Sequence, residues 1–240
     1  VVATLGTTSS TAMDPIGEIA PICEREGLWL HADAAYGGVL ALLPERRAEF
    51  AGIERADSMV VNPHKWLFTP MDCSVLWTRH PEVLRRAFAL TPTYLETREQ
   101  EVALSYSDYS FQLGRRFRAL KLWFVLRAFG IDGLALRIRH HCALATTFAA
   151  WVADAPGWEV VAPVGMSVVC FRHRPPGVTD ETELAAHNAR ILDRVNADGA
   201  VFLSHTKLGE AYVLRVAIGN LRTQESHLAA AWRLLRAAAD

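Results

Sequence analysis

Lys65 is the residue of this sequence best placed for covalent chemistry. It stands in the string Asn62-Pro63-His64-Lys65-Trp66, directly after the apolar run Ser58 to Val61. A strand end there would fix its backbone while its flexible stem reaches into a cleft. A lysine amine becomes nucleophilic when desolvation or neighbouring cations lower its pKa, and it then forms a Schiff base with an aldehyde. An isolated lysine is more often a solvated surface group, so the reading depends on its neighbours. Asp33, in His31-Ala32-Asp33-Ala34-Ala35-Tyr36-Gly37-Gly38, could keep a heteroaromatic ring nitrogen protonated, which makes such a ring an electron sink. Alone it reads as a helix cap or turn residue. Ala35 leaves room for a flat ring near the backbone, and Gly37 and Gly38 relieve crowding in the turn that follows. Gly6-Thr7-Thr8-Ser9-Ser10-Thr11 is a hydroxyl-rich loop able to hydrogen-bond a phenolic oxygen or a carboxylate, although such clusters usually serve as turns and caps. Asn62 and His64 could donate to a phosphate or simply close a turn.

These residues need elements that bring them together. From Val1 to about Trp77, short apolar runs alternate with helical patterns, the signature of βα units building a mostly parallel sheet. Val1 to Leu5 is a first strand. Asp14-Pro15 predicts a capped helix through Ile16, Ile19, Ala20 and Cys23 to Gly27, and Leu28 to Leu30 a second strand leading into Asp33. Ser58 to Val61 predicts a third strand delivering Lys65 to the same C-terminal edge, where open α/β sheets place their ligands. Cys73 to Trp77 reads as an antiparallel neighbour. About Leu90 to Phe111 reads as a long loop. Leu120, Leu122, Trp123, Leu126 and Phe129 form an apolar helix face up to Gly130, with Leu134, Leu136, Ile138 and Leu144 on a second long helix. Strands over Trp158 to Val161, Ser167 to Phe171, Val201 to Ser204 and Tyr212 to Ile218, with helices over Thr182 to Asn196 and Gln224 to Ala238, predict a small α+β domain.

The 25 basic residues nearly balance the 26 acidic ones, without a like-charge run that would follow a nucleic acid or an anionic membrane. Charge therefore argues for a small-molecule partner, neither nucleic acid nor membrane. Cys23, Cys73, Cys142 and Cys170 contain no CxxC pair and suit reduced thiols of a cytoplasmic enzyme, with no metal centre expected. Arg, Asp, Glu or Pro interrupts every apolar stretch before the roughly 18 to 20 residues that span a bilayer, so a soluble protein is expected. The opening Val-Val-Ala-Thr-Leu reads as a buried strand and an internal start.

In order along the chain, Ala3-Thr4-Leu5-Gly6-Thr7-Thr8, then His31 to Gly38, then Asn62 to Trp66 resemble the group II pyridoxal-phosphate-dependent decarboxylases. Thr91-Pro92-Thr93-Tyr94-Leu95, Leu113 to Lys121 and Leu214-Arg215-Val216-Ala217-Ile218 are similar to the aromatic L-amino-acid branch. The resemblance implies an α/β, fold-type I chain. Residues 1–130 would be the second part of the cofactor-binding large domain with its mostly parallel sheet, 131–156 a connecting helix and 157–240 a small α+β domain, within a homodimer. It implies pyridoxal 5'-phosphate as cofactor and an aromatic amino acid (DOPA, tryptophan, tyrosine or phenylalanine) losing carbon dioxide. Lys65 would carry the cofactor as a Schiff base, Asp33 pair with its ring nitrogen, Ala35 pack on the ring and Thr8 support its face or hydroxyl. Asn62 and His64 would help hold the phosphate, His64 also lying close to the departing carboxylate. Tyr94 matches a mobile-loop tyrosine that returns a proton to carbon, whereas relatives with phenylalanine there tend to make aldehydes. Arg115 matches a structural arginine at the loop base and equally suits a core-edge ion pair.

The same resemblance implies a preceding half bearing a phosphate-binding serine loop and a ring-stacking imidazole, neither found in this sequence. The alternative expectation is therefore an inactive fragment or dimerisation module whose open sheet edge pairs with another chain. A further alternative keeps the cofactor but changes the reaction, as in an aromatic aldehyde synthase.

Overall fold

The computed structural model describes residues 1–89 and 104–240. Strands β1 (Val2–Thr4), β2 (His31–Asp33) and β3 (Ser58–Val61) run parallel, and β4 (Val75–Thr78) joins β3 antiparallel, in the order β1-β2-β3-β4. Parallel neighbours require crossovers. Helix α1 (Ile16–Glu26) supplies the first, and 3-10 turns between Gly37 and Arg55 the second. Ile16, Ala20 and Cys23 of α1 recur on one face and enter the core. The helix stops at Gly27 (φ 63°), where the Leu28 N–H donates to the Cys23 carbonyl at 2.8 Å.

Several boundaries differ from the sequence expectation. Asp14 does not cap α1: its Oδ2 accepts from the Thr4 N–H at 2.7 Å and Pro15 takes the N-cap position. The Leu5–Met13 bridge and the bond from Asp14 N–H to the Thr4 carbonyl, 2.9 Å, hold Asp14 beside β1, so the strand captures its carboxylate. Strand β2 begins at His31 rather than Leu28, because the register Val2↔His31 is where pairing with β1 starts. Leu28 and Trp29 are exposed.

After the short helices α2 (Pro63–Trp66) and α3 (Pro81–Phe88) comes α4 (Arg118–Ala153). Gly130, at φ 64° and ψ 170°, breaks α4 at the expected place with a backbone setting open essentially to glycine alone. Beyond the break Leu134, Ala135 and Ile138 pack under the first sheet, and Leu144, Ala145, Phe148 and Val152 under the second. The predicted apolar face is only partly buried, since Leu120, Trp123 and Leu136 are exposed.

The second sheet contains β5 (Trp158–Val160), β6 (Val168–His173), β7 (Ser204–Leu208) and β8 (Ala211–Ala217), all antiparallel, in the order β5-β6-β8-β7. Helices α5 (Glu181–Asp198) and α6 (Glu225–Ala239) share its core, and Asp180 caps α5 by accepting from the Glu183 N–H at 2.9 Å. Strand β7 starts at Ser204, not Val201. The Asn196 side chain already satisfies both backbone groups of Leu203, at 2.8 and 3.0 Å, without a sheet partner. Among the described residues no helix is long and apolar enough to cross a membrane.

Candidate active site

Three parallel strands end on one edge and carry the predicted residues with them. The Leu5 N–H donates to the Asp33 carbonyl (2.8 Å), the Ala34 N–H to Val60 (3.1 Å) and the Asn62 N–H to Ala35 (3.0 Å). These bonds align Gly6-Thr7-Thr8, Asp33-Ala34-Ala35 and Asn62-Pro63-His64-Lys65 at the C-terminal edge of the sheet. Glycine lets the segments approach. A Cβ on Gly37 would lie 2.3 Å from the Leu5 carbonyl oxygen, and one on Gly38 would lie 2.7 Å from Val61 Cγ2.

Asp33 is half-buried at the end of β2, and its Oδ1 accepts from the Ala35 N–H at 3.1 Å. Among the described residues its other oxygen has no partner. Ala35, 9% exposed, puts a methyl rather than a larger side chain beside it. Lys65 is exposed on the single turn of α2, with its N–H bonded to the Asn62 carbonyl at 2.9 Å. His64 turns Nδ1 toward the backbone of Cys73, 3.0 Å from its nitrogen and 2.6 Å from its oxygen, which leaves Nε2 for a ligand. Asn62 Oδ1 accepts from Ser74 Oγ at 2.6 Å, so its amide N–H groups are the available donors. Thr8 is exposed in the turn after β1. The loop holding it is pinned to the second sheet: Ser9 Oγ meets Thr206 Oγ1 at 2.8 Å, and the Ser9 carbonyl accepts from Cys170 Sγ and Arg215 Nε, both at 3.1 Å.

The edge thus gathers an amine, a carboxylate with a spare oxygen, amide and imidazole donors, and a small methyl. That donor set fits a flat, anionic, aldehyde-bearing pyridine ring. Tyr94 lies outside the described residues. Arg115 binds its own loop, donating from Nη1 to Ser110 Oγ at 2.7 Å and to the Tyr106 carbonyl at 3.3 Å.

Spacing offered no role for Tyr36, Trp66, Ser167 or His141. Fully buried Trp66 stacks on Tyr36, with ring centroids 5.0 Å apart and planes at 8°. The Tyr36 hydroxyl meets Ser167 Oγ at 2.5 Å. Burial pushes the Tyr36 phenol up to about 12, so it keeps its proton at neutral pH and this bridge to the second sheet stays uncharged. The only sequence signal for these residues was that Tyr36 and Trp66 lie inside the two strings carrying Asp33 and Lys65.

Residues 1–174 match the family described as pyridoxal-dependent decarboxylase conserved domain. The chain is 41% identical over 242 residues to a tryptophan decarboxylase of Camptotheca acuminata, covering 100% of this chain and 48% of that protein. It is 43% identical over 243 residues to tyrosine decarboxylase 3 of Petroselinum crispum, covering 99% and 47%. It is 42% identical over 237 residues to a phenylacetaldehyde synthase of Arabidopsis thaliana, covering 98% and 48%. The crystal structure of Oryza sativa TDC with PLP and tryptamine superposes with a TM-score of 0.92 at 37% identity, covering 100% of this chain and 50% of that one. The chain therefore spans about half the length of the curated relatives it matches.

Proposed function

Because the chain belongs to the pyridoxal-dependent decarboxylase family, we propose that it forms the lysine-bearing half of a site that decarboxylates aromatic L-amino acids to arylethylamines and carbon dioxide. The observation that carries this reading is the convergence of Asp33, Ala35, Asn62, His64 and Lys65 on one sheet edge through the bonds joining β1, β2 and β3. Pyridoxal 5'-phosphate, when bound, supplies an electron sink for the pair released as the bond from Cα to the carboxylate breaks.

The chain's own residues hold and orient. Lys65 would hold the cofactor by its aldehyde carbon through the amine, and the free Asp33 oxygen would keep a proton on the ring nitrogen. Ala35 would leave room for the ring near the strand end, and Thr8 would support its face or hydroxyl. The Asn62 amide and His64 Nε2 donate to anionic oxygens of cofactor and substrate. Tyr94 delivers a proton to the substrate carbon after carbon dioxide departs. Tryptophan, tyrosine, DOPA and phenylalanine are the proposed substrate class; tryptophan and tyrosine stand in the names of the relatives. We place the enzyme in the cytoplasm as a homodimer. Residues 1–130, 131–156 and 157–240 act as large-domain portion, connector and small domain; two cores under two sheets support a two-part division, with the 131–156 helix contributing to both and Met166 reaching into the first.

The chain's lysines are Lys65, Lys121 and Lys207, which makes the first test unambiguous. The full chain is mixed with pyridoxal 5'-phosphate and reduced with borohydride, and the modified peptide is identified by mass. Release of carbon dioxide from DOPA and tryptophan is followed in parallel. Labelling of Lys65, absent in Lys65→Ala, with amine and carbon dioxide produced, is the expected result. Labelling without release assigns this chain the cofactor site alone, and no labelling of Lys65 overturns the reading. The similarity to a phenylacetaldehyde synthase favours one second reading, aldehyde formation with dioxygen as the oxidant; an aldehyde released with ammonia, carbon dioxide and hydrogen peroxide, instead of the amine, would establish it.

A further inference from the structure

Trp66 follows Lys65 on a helix of a single turn, α2 (Pro63–Trp66). A turn that short has almost no stability of its own, so what fixes Trp66 also fixes the direction in which Lys65 leaves the backbone. Trp66 is 0% exposed and held on two sides. Tyr36 stacks on its face, and its Nε1–H donates to His141 Nδ1 of α4 at 3.1 Å. His141 is itself 1% exposed, with Phe68 edge-on to its ring at 5.6 Å and 84°. Phe68, at φ 57°, is a bulky residue in the left-handed region just past α2. The Lys65 segment is thus bracketed by two aromatic residues that converge on one buried imidazole.

Indole N–H can only donate, so the imidazole must present an unprotonated Nδ1. Resting on the function proposed above, we propose that His141 is a positioning residue that sets Lys65 against the cofactor by accepting the indole hydrogen bond of Trp66. Burial and the neighbouring His140 favour the neutral ring that this bond requires, against a contact with the Asn220 backbone that favours the charged one. Without an acceptor at this position, the buried indole N–H has no partner and the indole can turn about its stacking contact with Tyr36, carrying the α2 turn and Lys65 with it.

The test uses His141→Leu, which fills the space without an acceptor, and His141→Asn, whose Oδ1 can stand near the position of Nδ1. Trp66→Phe removes the donor. The readouts are the concentration of pyridoxal 5'-phosphate giving half-maximal borohydride labelling of Lys65, and the hydrogen exchange of the Trp66 indole N–H by NMR. His141→Leu and Trp66→Phe should each raise that concentration about tenfold, the worth of one buried hydrogen bond. His141→Leu should also speed indole exchange, and His141→Asn should restore most of both. A purely structural role would lower thermal stability equally in Leu and Asn variants without separating their labelling. Equal labelling of Lys65 in all variants overturns the proposal while leaving the function standing. If the unmodified chain does not label Lys65, both fall. Should His141→Leu fail to fold, Trp66→Phe and His141→Asn decide alone: unchanged labelling in Trp66→Phe overturns the proposal.

Discussion

Replacing Gly37 with alanine should damage the site edge more than any other single methyl addition in the first sheet. The added Cβ would sit 2.3 Å from the Leu5 carbonyl oxygen and 2.8 Å from Met166 Cε, where ordinary contact begins at 3.4 Å. The methionine tip can swing aside. The carbonyl cannot move freely, because it belongs to backbone tied to β2: the Leu5 N–H donates to Asp33 at 2.8 Å and the carbonyl itself accepts from the Gly37 N–H at 3.1 Å. Relief therefore requires the two segments to separate by about 1 Å, which strains the packing by about 1–3 kcal/mol and weakens a backbone hydrogen bond worth about 1 kcal/mol. The expected loss is about 3 kcal/mol, or a fall in Tm of about 6–12 °C for a chain of this size. Thermal unfolding followed by circular dichroism reads it, with Gly219→Ala, which meets nothing within 4 Å, as a near-neutral control. A Gly37→Ala chain melting within about 2 °C of the parent would refute the close-approach argument. The same variant should bind pyridoxal 5'-phosphate poorly, since Asp33 and Ala35 lie on the displaced segment.

Asn188, 0% exposed, accepts from the His173 N–H at 2.8 Å and donates to the His173 and Leu184 carbonyls at 2.8 and 2.9 Å. Asn188→Ala removes these bonds and should cost about 2–4 kcal/mol in urea unfolding. His141, His173 and His187 are all held below the usual histidine range, mainly by burial, and His173 Nδ1 faces His187 Nε2 at 2.8 Å. The unfolded chain then takes up protons that the folded chain refuses, so stability should be full above about pH 6.5 and decline as pH falls below it. A urea midpoint that stays constant from pH 7.5 to 5.5 would contradict this, and His187→Gln should flatten the decline. Gly130→Ala, forcing a Cβ onto φ 64° and ψ 170°, should lower stability by about 1–3 kcal/mol although the methyl meets open space; an unchanged Tm would refute the backbone argument.

How much of this was legible beforehand follows from the range of the interactions. The order of strings around Asp33 and Lys65 encoded the parallel strands and the shared edge, because residues leaving consecutive parallel strands must emerge on the same side. Gly27 and Gly130 mark helix ends through local backbone rules that spacing reveals, and Asp180 marks one through a side-chain cap. Asp14 and Asn196 were not legible, since each trades a local role for a bond to backbone brought near by folding. The exposed Leu120, Trp123 and Leu136 show a limit of periodicity, which predicts an apolar face and not what covers it. The Trp66–His141 bond joins residues 75 apart in sequence, and no spacing rule reaches that far.

Helix α4 has a consequence for how the molecule comes apart. Ile138 belongs to one core and Leu144 to the other, so less than two turns of a single helix separate membership of the two. Neither core can open without fraying the rod it shares with its neighbour, and the slowest-exchanging amides of α4 should report the stability of both together. A ligand bound at the C-terminal edge of the first sheet should accordingly slow hydrogen exchange around Phe148 and Val152 of the second core.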